Sequence, residues 1–145
     1  LGLVLIGQPH PDFDRYAAAL PTDVPIQQLG VLSEADKHAV LARADLLLLP
    51  SRSESFGLVV LEAWAHGKPV IAAAAGGVRG VVQAGVTGLL VAPDDAAVLA
   101  SALRMVLTEP GLGAALGAAG RARLEQAHRW PVVAGRVLAL YEAIG

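Results

Sequence analysis

LLLLPSRSESFGLVVLEAWAHGKPVIAAAAGG, residues 46–77, is the stretch whose reading decides the fold. Four leucines closed by Pro50 form a short apolar run with turn residues behind it, which reads as a buried strand rather than a helix. Polar Ser51 to Ser55 make a loop. From Phe56 or Gly57 to His66 the chain is apolar almost all round, and Gly67-Lys68-Pro69 supplies the glycine stop and trailing proline of a helix C-terminus. A second strand, Pro69 to Ala73, follows and ends in Gly76-Gly77. The predicted unit is strand, polar loop, buried helix, strand.

Two carboxylates sit in this unit. Glu54 lies in the loop ahead of the helix, and Glu62 lies inside the helix among Leu58, Val59, Val60, Leu61, Ala63, Trp64 and Ala65. A charge on a helix apolar on every face is costly unless something pairs with it, and hydroxyl groups of a ligand would serve. The N–H groups near Phe56, Gly57, Leu58 and Val59 point out of the helix start with the positive end of the dipole behind them, a ready seat for an anion. Gly57 lets a ligand approach the backbone closely. Plainer readings stand beside these. Glu54 is also an acid of the kind favoured near a helix N-terminus, and Glu62 could pair with Lys68 or another partner in the fold.

Glu54-Ser-Phe-Gly-Leu-Val-Val-Leu-Glu62 resembles the E-x7-E motif of retaining glycosyltransferases of the group 1, family 4 type. The surrounding PSRSESFGL, LEAWAHGKPVIA and GG are similar to that family's consensus, and a weaker likeness runs from LVLIG near the start to the Trp130 region. The resemblance implies a two-lobed enzyme whose C-terminal lobe binds a nucleotide-sugar donor and whose N-terminal lobe binds the acceptor. Residues 1–145 would form most of the donor lobe.

Composition agrees with a folded domain. Hydrophobic residues make up 54% of the 145 and charged ones 17%, which excludes disorder. Charges, Gly or Pro interrupt every apolar run before it reaches a membrane span. A net charge of -2 without a Lys/Arg cluster argues against nucleic acid as the main partner. With no cysteine there is neither a disulfide framework nor a thiolate zinc site, and a cytoplasmic chain is the default. The start at Leu1, inside an apolar run and without Met, reads as a fragment of a longer protein. Targeting, and association of the parent with the inner membrane surface, therefore stay open.

Leu1 to Gly7 reads as a buried strand with a turn through His10, a loop polar group. Asp12 is expected to cap a helix to Leu20, and Pro21 to Pro25 to be linker. Ile26 to Leu29 is a short strand ending at Gly30, where the resemblance implies a backbone contact to the nucleobase and a plain tight turn is the equal alternative. Ser33, with Glu34 and Asp36 behind it, starts a helix to about Ala44 whose His38 is read as solvated. After Gly77 comes a short helix to Ala84. There the family usually carries an acid where this chain has Gly80, and Arg79 beside it is read as exposed. Gly85 to Pro93 holds a turn and strand, and Asp94-Asp95 opens a helix ended by Pro110-Gly111. Helices from Gly113 to His128 and from Trp130 to Ile144 complete the chain; Arg121, Arg123 and Glu125 are read as a solvated face and Trp130 as a core plug.

Strands alternating with helices predict an α/β fold with a mainly parallel sheet, a Rossmann-like three-layer lobe that is one half of the glycosyltransferase B fold. By resemblance, Glu54 would be the catalytic-site carboxylate that binds hydroxyls of the donor sugar. The amides of Phe56, Gly57, Leu58 and Val59 would meet sugar hydroxyls and diphosphate, and Glu62 would hold the ribose. The substrate would be a UDP-, GDP- or ADP-sugar, with no cofactor and no metal. The Arg and Lys with which the family neutralises the diphosphate would precede Leu1. A pair of glycosidase carboxylates is disfavoured, because neither acid has an evident reason to be protonated and the loop is built for an anion. The alternative function is a sugar-nucleotide-binding module that does not catalyse, which Gly80 favours.

Overall fold

The computed structural model describes residues 1–20 and 25–145, so the predicted linker lies outside the described residues except for Pro25. The chain divides into two compact units, Leu1–Val40 and Leu41–Gly145.

In the first unit, β1 (Leu3–Leu5) and β2 (Ile26–Gln28) pair in parallel with Leu3 opposite Ile26. The Gly7 N–H, donating to the Gly30 carbonyl at 2.8 Å, joins the turns that follow them. Between them α1 (Phe13–Ala17) stops short of the predicted Leu20, and Asp12 does not cap it through its side chain. The Asp12 backbone is itself helical, so the carboxylate is out of capping position and pairs with Arg15 at 3.1 Å. The start of α2 (Glu34–Arg43) agrees with expectation: Ser33 Oγ accepts the Asp36 N–H at 3.1 Å. His38 is half-buried, not fully solvated.

In the second unit, β3 (Leu47–Leu49), β4 (Val70–Ala73) and β5 (Leu89–Val91) form a parallel sheet in that order. Connecting them are α3 (Leu58–Ala65) and α4 (Val78–Val81); α5 (Ala96–Thr108), α6 (Leu112–Arg123), a π-helical turn Leu124–His128 and α7 (Trp130–Ile144) follow. The leucine run, expected to be buried, is half-buried between the helices that cover both faces of the sheet. Leu47, Leu49, Val70, Ala72 and Leu90 pack with Val60, Ala63, Trp64, Val78 and Val81 of α3 and α4. Leu46, Leu48, Ile71, Leu89 and Val91 pack with Ala102, Val106 and Leu116 of α5 and α6. Parallel strands under helices on both sides are the Rossmann-like arrangement that the alternation predicts.

Trp64, fully buried, is the indole that plugs this core, and its Nε1–H donates to the Thr87 carbonyl at 3.0 Å. A Cβ on Gly120 would overlap the indole, and one on Gly117 would overlap the Gly67 carbonyl, so the glycines of α6 let that helix close on α3. Trp130 is not a core plug: it is 83% exposed, as are Leu138, Tyr141 and Ile144 in large part, and α7 has no buried residue. Among the described residues no helix is long and apolar enough to cross a membrane.

Candidate functional site

Parallel strands bring the loops after β3, β4 and β5 to one edge of the sheet, the edge at which open α/β sheets bind ligands. Those three loops are tied together. The Gly77 N–H, after β4, donates to the Glu54 carbonyl at 2.9 Å. Arg52, two residues ahead of Glu54, holds Asp94 after β5 at 2.6 Å, and Asp94 adopts a left-handed backbone with φ 61°. Room for the first contact comes from the glycine pair, since a Cβ on Gly76 or Gly77 would run into the Glu54 or Ser55 carbonyl oxygen.

The loop enters α3 through Gly57, whose φ of 86° is left-handed. A side chain there would be strained, and its Cβ would lie 3.1 Å from Val78. This turn aims successive N–H groups back toward Glu54. Its Oε1 accepts from Gly57 N–H at 3.2 Å and, more weakly, from Phe56 N–H at 3.4 Å. The helix start therefore does attract a carboxylate, and in the structure that carboxylate is Glu54 itself. The N–H groups of Leu58 and Val59 begin the helix and have no intrahelical acceptor. At the other end, Gly67 N–H to Trp64 and Lys68 N–H to Ala63 complete the glycine C-cap that the sequence announces.

α3 is not buried on every face, which corrects the expectation for Glu62. Val60, Ala63 and Trp64 face the core, whereas Leu58 is 65% exposed and Ala65 is exposed. Glu62, one turn beyond Leu58, shares that open face and is half-buried, with Oε2 buried. The amphipathic split was hidden because the outward positions carry Leu and Ala. Glu54, Phe56, Gly57, Leu58, Val59 and Glu62 thus lie along one loop and the helix that it enters. Gly30 belongs to the first unit, where its φ of 65° suits a tight turn.

Two further contacts were missed in the sequence. Arg123, read as part of a solvated face, instead reaches α4: Nε donates to the Val81 carbonyl at 2.7 Å and Nη2 to the Gly80 carbonyl at 3.1 Å. His128, on the π turn, meets the Phe56 ring edge-on, centroids 6.0 Å apart and planes at 72°. Burial, with Arg123 and Arg136 adding to it, holds the His128 pKa below its ordinary value. Arg79 is exposed as read, its Nε donating to the Ala74 carbonyl at 2.6 Å. Among the described residues no cluster of His, Cys, Asp or Glu could hold a metal ion.

Residues 1–123 match the model of the family described as glycosyl transferases group 1. The chain is 41% identical over 115 residues to the glycogen synthase of Mycobacterium tuberculosis, covering 79% of this chain and 28% of that protein. It is 38% identical over 128 residues to D-inositol 3-phosphate glycosyltransferase 1 of Catenulispora acidiphila, covering 86% of this chain and 30% of that protein. The chain thus spans less than a third of the length of these curated relatives. Among solved structures, the sucrose-phosphate synthase of Thermosynechococcus elongatus superposes with a TM-score of 0.87 at 31% identity, over 98% of this chain and 38% of that one. Anabaena HepE, solved in complex with UDP-glucose, superposes at 0.84 over 97% of this chain and 40% of its own; at 24% identity it speaks for the fold alone.

Proposed function

This chain belongs to the glycosyl transferases of group 1, and from that premise we propose that the full-length protein moves a sugar from a nucleoside-diphosphate donor to an acceptor with retention at the anomeric carbon. Residues 1–145 would supply the donor site as part of the C-terminal lobe, and an N-terminal lobe would bind the acceptor.

The observation that carries the reading is the row of N–H groups at the start of α3, which already draws in a carboxylate. Such a transfer asks the protein to stabilise a departing diphosphate and the positive charge growing on the anomeric carbon. Preorganised N–H donors at Phe56 to Val59 suit the first task, and no metal is assigned to it. Glu54, freed from its own amides, would turn to hydroxyls of the sugar and leave its negative charge near the anomeric carbon. Glu62, on the open face of α3, would take the ribose hydroxyls. Gly30 is assigned a backbone contact to the base. A UDP-, GDP- or ADP-sugar fits this description, and no cofactor enters it. The reading places the full-length protein in the cytoplasm or on its membrane surface.

The second reading, a module that binds a sugar nucleotide without transferring it, draws on Gly80. A Cβ there would meet nothing within 4 Å, so steric pressure does not account for a glycine where the family resemblance implies an acid. Donor hydrolysis or sugar transfer by the full-length protein separates the two. Turnover with any nucleotide sugar sustains the first reading, and tight binding without turnover sustains the second.

A further inference from the structure

The π turn Leu124–His128 lies between two contacts, one of Arg123 just ahead of it with α4 and one of His128 with the loop of the proposed site. Arg123, the residue that leads into it, fastens the carbonyls of Gly80 and Val81 at the end of α4. His128, its last residue, places its ring against Phe56, next to the N–H groups that Glu54 occupies. The His128 Nε2 atom is buried and has no hydrogen-bond partner among the described residues. A buried polar atom left in that state costs stability, so hydrogen bonding through Nε2 does not explain why the ring is there. Its contact with Phe56 does. Phe56 is 42% exposed, so one side of its ring is open and the other is backed by His128. Insertion of a π turn is also the kind of local irregularity that re-aims a side chain where a plain α-helix would not.

We propose that His128 is a positioning residue for the donor loop: its ring backs Phe56, so that the backbone from Glu54 to Gly57 keeps the shape in which its N–H groups meet the transferred sugar. The inference rests on the donor-site reading above. The held element is the sugar-facing part of the loop, while the proposed ribose contact at Glu62 lies on α3, one turn beyond Leu58. Loss of the wedge should therefore affect the sugar and spare the nucleoside diphosphate. The depressed pKa keeps the ring neutral near pH 7, in keeping with an edge-on contact between uncharged rings.

The test uses His128→Ala, which removes the wedge, and His128→Phe, which keeps an aromatic edge without Nε2. Calorimetric titration of the full-length protein compares UDP with UDP-glucose, and the GDP and ADP pairs in parallel. His128→Ala should weaken the nucleotide sugar about ten-fold and the nucleoside diphosphate by less than about two-fold, the worth of one aromatic contact. His128→Phe should match the wild type for both. Should His128→Ala not fold, Phe56→Leu removes the same contact from the other side and should give the same selective loss. Unchanged binding, equal loss of both ligands, or a His128→Phe as impaired as His128→Ala overturns the proposal while leaving the donor site intact. A wild-type protein that binds none of the six ligands overturns the donor-site reading and this inference with it.

Discussion

The Glu54 carbonyl oxygen accepts the Gly77 N–H at 2.9 Å, and a Cβ on neighbouring Gly76 would overlap that same oxygen. Two loops from adjacent strands thus meet backbone to backbone, which only a glycine pair permits. The contact fixes where the Glu54 side chain leaves the main chain, and so where a carboxylate is held over the start of α3.

Gly76→Ala should accordingly destabilise the protein by about 2 kcal/mol or more, since it combines a left-handed φ of 50° with the overlap. Gly80→Ala is the contrast. It sits in α4 without positive φ and with open space around it, and should be neutral or stabilise by about 0.5 kcal/mol. Denaturant unfolding of both variants checks the pair; equal effects would dismiss the glycine contact as the cause.

Glu54→Ala removes a negative charge and vacates the Gly57 N–H. A bare nucleoside diphosphate should bind it at least as well as the wild type, whereas the intact nucleotide sugar should bind about ten-fold more weakly, as the loss of a charged hydrogen bond implies. Identical losses for the two ligands in calorimetry would refute the assignment of this carboxylate to the sugar.

How much of this the sequence carried depends on which forces are local. The leucine strand, the glycine C-cap at Gly67 and the Ser33 helix start were legible because each is decided within a few residues. Trp130 was misread because hydrophobicity predicts burial without saying whether a covering element exists in the chain, and here α7 buries nothing. Arg123 was misread because its partners lie about forty residues away, at Gly80 and Val81, a distance that helical periodicity does not register. The candidate site residues were named from the motif alone, and the capture of Glu54 by its own amides became visible only with the left-handed turn at Gly57.

Glu62→Ala should weaken nucleoside diphosphate and nucleotide sugar alike, because the ribose is common to both. Its place on the open face of α3 means that the fold should tolerate the change, with a melting temperature within about 4 °C of wild type. Unaltered affinity in calorimetry would count against the ribose role, and a collapse in melting temperature would make Glu62 a structural residue.

Stability should fall as the solution is acidified below about pH 6.5, and His128 should account for part of the slope. In the unfolded chain the imidazole titrates near its ordinary 6.5; in the fold its pKa is lower, because burial opposes the charge and Arg123 and Arg136 repel it. Above 6.5 both states hold the neutral ring and the term is constant. As pH drops from 6.5 toward the folded pKa, the unfolded state takes up the proton first, so the equilibrium shifts toward unfolding; below the folded pKa the term levels off. His128→Phe cannot titrate and should show a shallower decline through that window in denaturant unfolding at stepped pH. Parallel profiles for variant and wild type would mean that the buried imidazole is not the group responsible.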